Sequence, residues 1–469
     1  MIKESIFRAY DIRGVYGIDL DENVAKHVGK ALGTFLGGVG KRVAVGYDVR
    51  KSSPALKKAL VEGLTLSGVE VWDVGLVPTP TVYFAISHFG LDGGAIVSAS
   101  HNPPQWNGFK LCKEKAMLCG WGMGLEKIKE IIFSKSYLES GGGIVVDKVD
   151  EVNSTYQRFI LEKVNVKRRL RILVDTGNGS CSNYAENILQ KAGLEVVAIN
   201  NYPDGDFPSR SPEPTDESLK TMKKMIAEDN FDFGVAYDGD GDRAVFVDNM
   251  GRIIEGDKML ALLIRHFIKG SGEKVVYEVS CSKLLDDVVM EKGVIPIISK
   301  VGHSFILEKM ISENALFGGE IASHLYFRDV YGADDAIYAT LKVAEMISES
   351  SEKLSDMVNR LPKYHTTRLV FTVPDEIKFQ AIEKMILKVK ERGFTPITLD
   401  GVRVNLESGW YIVRASNTLP QIKATVEAKD KEKLSILEKK VVDMVTEAVN
   451  EVRGLSGGAT VDFRRVSIT

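Results

Sequence analysis

The sequence predicts an α/β protein: three similar, mixed but mostly parallel α/β/α domains plus a smaller C-terminal α+β domain around a central cleft. Three observations lead there. A strand–helix–strand–helix–strand pattern recurs three times. Each third strand runs into a polar loop of different chemistry. The final part of the chain switches to antiparallel strand and helix patterns. At about 100–200 residues per domain, a chain of 469 residues has room for such a series.

The opening strands of the three units read KRVAVGYD (41–48), RRLRILVD (168–175) and EKVVYEVS (273–280). Second strands follow a small residue and glycine: SGVEVWDV (67–74), AGLEVVAI (192–199) and KGVIPIIS (292–299). Third strands enter the loops GGAIVSASHNP (93–103), FDFGVAYDGDGDR (231–243) and ALFGGEIASH (315–324). Short continuous apolar runs alternating with helical stretches are the mark of buried parallel strands joined by βαβ crossovers. Loops at the C-terminal ends of such strands are where open α/β sheets bind ligands, and they are expected to lead into helix N-termini.

The last domain reads as four strands, TRLVFTV (367–373), DGVRVNL (400–406), WYIVRAS (410–416) and IKATVEA (422–428), with Asp400-Gly401 as a hairpin signal. A closing helix shows one apolar face, Leu434, Leu437, Val441, Val445, Ala448 and Val452, and stops at Gly454. The segment 351–364 is expected to be a helical linker, and the tail after Gly454 to be flexible or loosely docked. The expected domains are 1–150, 151–256, 257–364 and 365–469.

Composition narrows the function. Lys and Arg number 61 against 64 Asp and Glu, a net charge of −3, which argues against binding nucleic acid or anionic membrane through bulk charge. No run approaches the roughly 18 apolar residues of a membrane span. The N-terminal residues carry no apolar h-region, and the four cysteines form no CxxC pair. A cytoplasmic protein with reduced thiols is the expectation.

The sharpest local signal is Asp238-Gly239-Asp240-Gly241-Asp242-Arg243. Three carboxylates alternate with glycines directly after a strand, a hard-oxygen set that suits Mg²⁺. An EF-hand fails on register, since Arg243 falls where Gly is needed and Asn249 where Glu is needed. Asp238 as an aspartyl nucleophile and a solvated acidic turn remain alternatives. The second signal is Ser98-Ala99-Ser100-His101-Asn102-Pro103-Pro104, followed by Asn107-Gly108-Phe109-Lys110; the prolines disfavour a helix and present Ser100 on a rigid projection. A serine that already carries a phosphoryl group needs a metal and cations rather than activation in order to donate it. The third loop offers Glu320, Ser323 and His324; Glu320 suits vicinal sugar hydroxyls, with a buried ion pair or helix cap as the alternative. Lys300 and His303 lie upstream of it, in what is equally an ordinary turn. Arg414-Ala415-Ser416-Asn417-Thr418 reads as a phosphate cradle or a hairpin turn. Near the N-terminus Tyr10 and Arg13 sit in a polar segment, Arg13 either reaching a phosphate or making a surface ion pair.

Together these five segments, in order over nearly the whole chain, resemble the α-D-phosphohexomutase family, in its phosphomannomutase/phosphoglucomutase group. The resemblance implies three similar α/β domains and a smaller fourth around a deep cleft. It implies an intramolecular phosphotransferase acting on hexose phosphates (mannose and/or glucose) through a phosphoserine at Ser100 and a hexose 1,6-bisphosphate. Asp238, Asp240 and Asp242, with an oxygen on Ser100, would hold Mg²⁺. Arg13, His101, Lys110 and Arg243 would surround the phosphoryl group. Glu320 would hold sugar hydroxyls, with Tyr10, Lys300, His303, Ser323 and His324 nearby. Arg414, Ser416, Asn417 and Thr418 would grip the other phosphate. Glucose 1,6-bisphosphate, or mannose 1,6-bisphosphate, would be the activator. Two departures stand out: Ala322 occupies a position where the family usually has serine, and Ser280 one where some relatives have lysine. A phosphoglucosamine mutase is the main alternative, ahead of a sugar-phosphate phosphatase or a non-catalytic sugar-phosphate-binding protein. A monomer or small homo-oligomer is expected.

Overall fold

The structure is a computed structural model that describes residues 2–416, 419–454 and 461–466. Four sheets follow one another along the chain. The first has strand order Ile12–Val15, Trp106–Lys113, Gly93–Val97, Arg42–Tyr47, Glu70–Leu76, Val145–Asp147. Its last four strands are parallel, and Trp106–Lys113 runs antiparallel to both its neighbours. The second runs Ile253–Ile254, Ala244–Asp248, Phe233–Tyr237, Arg171–Asp175, Glu195–Ile199, with the last three parallel. The third runs Ile295–Ser299, Lys274–Glu278, Phe317–Gly319, Leu325–Phe327, with the first three parallel. The central apolar runs are buried on both faces, Gly93–Val97 and Phe233–Tyr237 at every position, whereas the edge runs Glu195–Ile199 and Ile295–Ser299 are only partly covered.

One expectation is corrected by the topology. The three polar loops do not lead into helix N-termini. Each feeds an antiparallel strand that returns beside the one it left: Trp106–Lys113, Ala244–Asp248 and Leu325–Phe327. A parallel pair needs a long crossover, whereas an antiparallel return needs only a short loop. The polar residues are thereby held between two hydrogen-bonded strands.

The second and third units share one continuous hydrophobic core. Its centre is the helix Ala336–Ser348, buried along its whole length and capped by Asp335, whose carboxylate accepts from the Tyr338 amide at 2.9 Å. The helix's two charged side chains, Lys342 and Glu345, pair with each other, and the apolar residues around the rest of its surface mark a core helix; removing Leu341 to alanine would cost about 2–5 kcal/mol. The helix Val149–Leu161 leaves the first sheet and packs into this shared core through Tyr156 and Ile160.

The C-terminal sheet is antiparallel throughout, in the order Val402–Leu406, Gly409–Ala415, Gln421–Ala428, His365–Thr372, Phe463–Val466. Two helices, Asp375–Glu391 and Lys431–Arg453, cover one face and enclose a separate core. Gly454 ends the last helix in the left-handed region with its N–H on Asn450 and Glu451 carbonyls. Three details differ from the sequence reading. The strand hairpin turns after Leu406, while Asp400-Gly401 forms its own reversal closed by a bridge between Ile397 and Arg403. Only Leu354–Asn359 of the 351–364 segment is helical. In the tail, Phe463–Val466 pairs with His365–Thr372 as an edge strand. All four cysteines are buried and unpaired. Among the described residues no helix is long and apolar enough to cross a membrane.

Candidate active site

Ser100 and the acidic loop meet. The Ser100 hydroxyl donates to Asp238 Oδ2 at 2.7 Å, and both residues are buried. Ser100 adopts φ +48°, a left-handed conformation that costs a non-glycine residue roughly 1–2 kcal/mol. Its amide donates to Ser98 Oγ at 2.8 Å, and Ser98 Oγ donates in turn to Asp240 at 3.1 Å. The strained turn is held from behind by Arg50. Arg50 Nη2 donates to the Ser100 and Asn102 carbonyls at 2.8 and 2.6 Å. Its Nη1 donates to the Pro103 and Trp106 carbonyls at 2.6 and 3.1 Å, and its Nε to Asp48 at 3.0 Å. This guanidinium is fully buried, and Asp48 and Asp240 offset the desolvation that draws its pKa down.

Ligand-grade oxygens of Asp238, Asp240 and Asp242 lie within 4.8 Å of one another. Gly239 permits the approach: a Cβ there would sit 2.5 Å from the Ser100 carbonyl oxygen. Asp240 Oδ2 accepts from Lys110, Thr79 and Ser98, whereas Asp240 Oδ1 and Asp242 Oδ1 are buried without a hydrogen-bond partner among the described residues. Burial, then Asp242 and Asp240, push the Asp238 carboxyl up to about 8. Burial also opposes charge on Asp242, yet Lys110, His324 and Arg243 hold it well below the usual carboxylate range. Three converging carboxylates with unpartnered oxygens and a serine hydroxyl form a hard-oxygen set that could hold a divalent cation.

Cationic and imidazole groups surround this pair of loops. Lys110 Nζ bonds Asp240 at 2.7 Å and Asp242 at 2.5 Å; burial opposes its charge, but the two carboxylates raise its pKa and keep it an ammonium. Arg13 donates to Asp11 at 2.8 Å and to Asn102 Oδ1 at 2.7 Å. Arg243 bridges two imidazoles, with Nη2 2.5 Å from His101 Nδ1 and Nε 3.0 Å from His324 Nε2. His101 Nδ1 also lies 3.3 Å from Ser100 Oγ, and burial together with Arg243 and Arg13 keeps that ring neutral. His324 Nδ1 bonds Asp334 at 2.6 Å. Burial disfavours its charge, but Asp242, Asp334 and Glu320 raise its pKa to about 9.

A cavity of about 420 Å³ opens beside Arg243, between the second, third and C-terminal units. Glu320, Ala322 and Ser323 line it from the third loop, and Arg414 from the C-terminal sheet. Tyr326 donates to Glu320 at 2.6 Å, which leaves the carboxylate further acceptor capacity. Ala322 is exposed to this space and Ser323 is buried at φ +68°. Arg414 lies 3.6 Å from Asp400, and buried Ser416 accepts from the Leu419 amide at 3.3 Å. Tyr10 donates to the Val301 carbonyl at 2.9 Å and packs edge-on to His303, which stacks on His324. Lys300 stands apart: it is exposed, lies over the Phe305 ring, and lines a second cavity of about 880 Å³ with Arg8 and Trp121. Asn417 and Thr418 lie outside the described residues.

Sequence reasoning missed Arg50, Asp48, Thr79 and Asp334. The signal for the first two was present as Asp48-Val49-Arg50 directly after the first strand, a loop equivalent in position to those that were examined.

Comparison with known proteins agrees with this architecture. Models of the phosphoglucomutase/phosphomannomutase family match in order: α/β/α domain I over residues 4–139, domain II over 154–251, domain III over 255–364 and the C-terminal domain over 371–444. A phosphoglucomutase/phosphomannomutase of Thermococcus kodakarensis is 35% identical over 442 residues, covering 91% of this chain and 95% of the relative. A probable phosphoglucosamine mutase of Methanopyrus kandleri is 36% identical over 451 residues, covering 95% and 99%. The crystal structure of a phosphoglucomutase/phosphomannomutase family protein from Burkholderia thailandensis superposes with a TM-score of 0.89 at 33% identity, covering 98% of this chain and all of that one. The chain belongs to the phosphoglucomutase/phosphomannomutase family of mutase enzymes.

Proposed function

We propose that the protein interconverts hexose 1-phosphate and hexose 6-phosphate, with glucose and mannose phosphates as substrates. The observation that carries this is the 2.7 Å contact between Ser100 Oγ and Asp238, inside a ring of Lys110, Arg13 and Arg243. In this reading Ser100 is the phosphoserine. A sugar hydroxyl at C6 or C1 attacks the phosphorus, the P–Oγ bond breaks as the new P–O bond forms, the hydroxyl proton passes to a base, and Ser100 Oγ takes up a proton to leave as the free hydroxyl. The resulting hexose 1,6-bisphosphate turns over in the cleft and returns its other phosphoryl group to Ser100. Glucose or mannose 1,6-bisphosphate primes the serine.

Asp238, Asp240 and Asp242 are the proposed Mg²⁺ ligands; the ion, when bound, neutralises charge on the transferring phosphoryl group. Lys110 and Arg243 add positive charge at the same place, which is where phosphoryl transfer gains most. His101 is unprotonated and next to Ser100, but burial and the Arg243 and Arg13 guanidiniums that hold it neutral also oppose its gaining a proton until the phosphoryl group's charge sits beside it. Lys110 can serve as a base only when its two carboxylates are drawn away from it. Glu320 holds vicinal hydroxyls from the cavity wall, with Tyr10, His303, Ser323 and His324 around it. Arg414 with Ser416, Asn417 and Thr418 holds the distal phosphate, whose binding energy helps exclude water from the phosphoserine.

A second reading, a 2-amino-sugar phosphate as substrate, is favoured by one feature: buried Glu278, whose Oε2 has no partner among the described residues, lines the same cavity as Glu320. A mutase assay across glucose 1-phosphate, mannose 1-phosphate and glucosamine 6-phosphate, with Mg²⁺ and a trace of bisphosphate, separates the two. Release of inorganic phosphate without isomerisation, or near-normal turnover in Ser100→Ala, would defeat the mutase reading.

A further inference from the structure

The C-terminal sheet presents two unlike faces, as the period of two along a strand requires. Leu369, Tyr411, Val413, Ala424 and Val426 belong to its helix-covered core. The alternate positions Arg368, Ile412, Arg414, Lys423 and Thr425 line the cavity, which Leu369 and Ala424 also reach. Within that face Arg414 and Lys423 are directly opposite one another on neighbouring strands. Like charges directly opposite one another destabilise the pairing.

The other cations on this face have acidic neighbours: Arg368 lies 3.4 Å from Glu255 and Arg414 3.6 Å from Asp400. Lys423 is partly buried and has no hydrogen-bond or ion-pair partner among the described residues. The wall on the third unit's side provides no cation at Ser280, whose buried hydroxyl is itself unpartnered. A half-buried ammonium beside a guanidinium, with the Glu213 carboxylate across the cavity as a counter-charge that makes no direct contact, gains from an anion placed between the two cations. A phosphate monoester is such an anion, and its three terminal oxygens can accept from a planar fork and a point donor at once.

We propose that Lys423 is a substrate-binding residue that, together with Arg414, grips the phosphate not being transferred. The inference rests on the hexose-phosphate reading above. Its distinct content is that the distal-phosphate site extends from the 414–418 segment onto the next strand. Burial and Arg414 lower the Lys423 pKa against the opposing pull of Glu213, so an incoming anion would favour the charged amine.

The test compares the full-length protein with Lys423→Met, which keeps the aliphatic stem, and Lys423→Arg, which keeps the charge. In the mutase assay, Lys423→Met is expected to raise KM for the hexose phosphate by about tenfold or more while kcat stays within a few-fold. Lys423→Arg should recover most of that loss. Calorimetric titration with inorganic phosphate should show a matching loss of affinity in Lys423→Met alone. A KM and a phosphate affinity both within twofold of the parent would overturn the inference. So would an equal loss in Lys423→Arg, which would point to packing rather than charge. If the parent protein isomerises no hexose phosphate, the functional reading fails, and the phosphate titration still decides for or against Lys423.

Discussion

Arg50 Nη2 lies 2.8 Å from the carbonyl oxygen of Ser100, and the same guanidinium reaches three further carbonyls of that loop. Turning four carbonyls toward one buried cation fixes the loop's peptide planes and stabilises the left-handed turn at Ser100. A lysine at position 50 would keep the charge but present a single point donor. Arg50→Lys is therefore expected to lower kcat by about 10²-fold or more, since displacement of a reacting group by about 1 Å has that effect. KM should move only a few-fold. Steady-state kinetics with circular dichroism as a folding control checks this; a kcat within threefold of the parent would remove Arg50 from the positioning machinery.

Gly239 is the corresponding contact from the acidic loop. An alanine Cβ would meet the Ser100 carbonyl at 2.5 Å and Pro212 Cβ at 3.2 Å. The nearer neighbour is backbone, so the two loops must separate. Gly239→Ala should leave the chain folded, lower the melting temperature by a few degrees, and lower turnover by at least about 10²-fold. Unchanged turnover would mean that the approach of these loops is not needed for activity.

The acidic cluster predicts a metal dependence that can be read without an assay. Asp240 Oδ1 and Asp242 Oδ1 have no hydrogen-bond partner among the described residues. A cation bound only by the folded state at about 100 times its Kd adds roughly 2.7 kcal/mol. Mg²⁺ should therefore raise the melting temperature of the parent protein, a chelator should reverse the rise and abolish turnover, and Asp242→Asn should show little rise. Because Asp238 is pushed up toward 8, a proton competes with the cation below that pH. The Mg²⁺-dependent rise should be larger at pH 8.5 than at pH 6.5. A rise that is equal at both, or unaffected by Asp242→Asn, would count against these ligands.

Much of the architecture was visible in the chain itself. Fully buried strands such as Phe233–Tyr237 appear as unbroken apolar runs, and the polar residues behind them stand out against that background. Strand direction leaves no such trace. Ala244–Asp248 is as apolar as its parallel neighbours, and Trp106–Lys113 is buried at its inner positions despite Asn107 and Lys110, so neither run's periodicity shows its antiparallel return. The edge strand Phe463–Val466 was missed for a related reason: its short polar run is stabilised by pairing with His365–Thr372 rather than by its own pattern. Asp48-Val49-Arg50 offers an acid and a base after a strand, but the four main-chain carbonyls that give Arg50 its role carry no sequence signature. Lys110 was legible as a cation near Ser100, but its pairing with both Asp240 and Asp242 arises from the docking of two units.

Asp335 links the shared core of the second and third units to pH. It caps the buried helix Ala336–Ser348, accepting from the Tyr338 amide at 2.9 Å and the Tyr156 hydroxyl at 2.8 Å. Burial pushes its carboxyl up to about 7, with Asp334 adding to the rise and the two donors opposing it. In the unfolded chain the same group ionises near 3.9. A carboxyl raised on folding contributes stability fully below its unfolded pKa, and that contribution disappears as the pH climbs through its folded value. Asp335→Asn keeps one acceptor oxygen for the Tyr338 amide, presents an NH2 from which the Tyr156 hydroxyl can accept, and carries no charge. The difference in stability, variant minus parent, should thus shift in the variant's favour between pH 5 and pH 8, by an amount on the order of 1–3 kcal/mol. Groups common to both proteins cancel in that difference. Thermal or urea unfolding of the pair at the two pH values measures it, and parallel stability profiles would show that Asp335 stays ionised in the folded protein throughout.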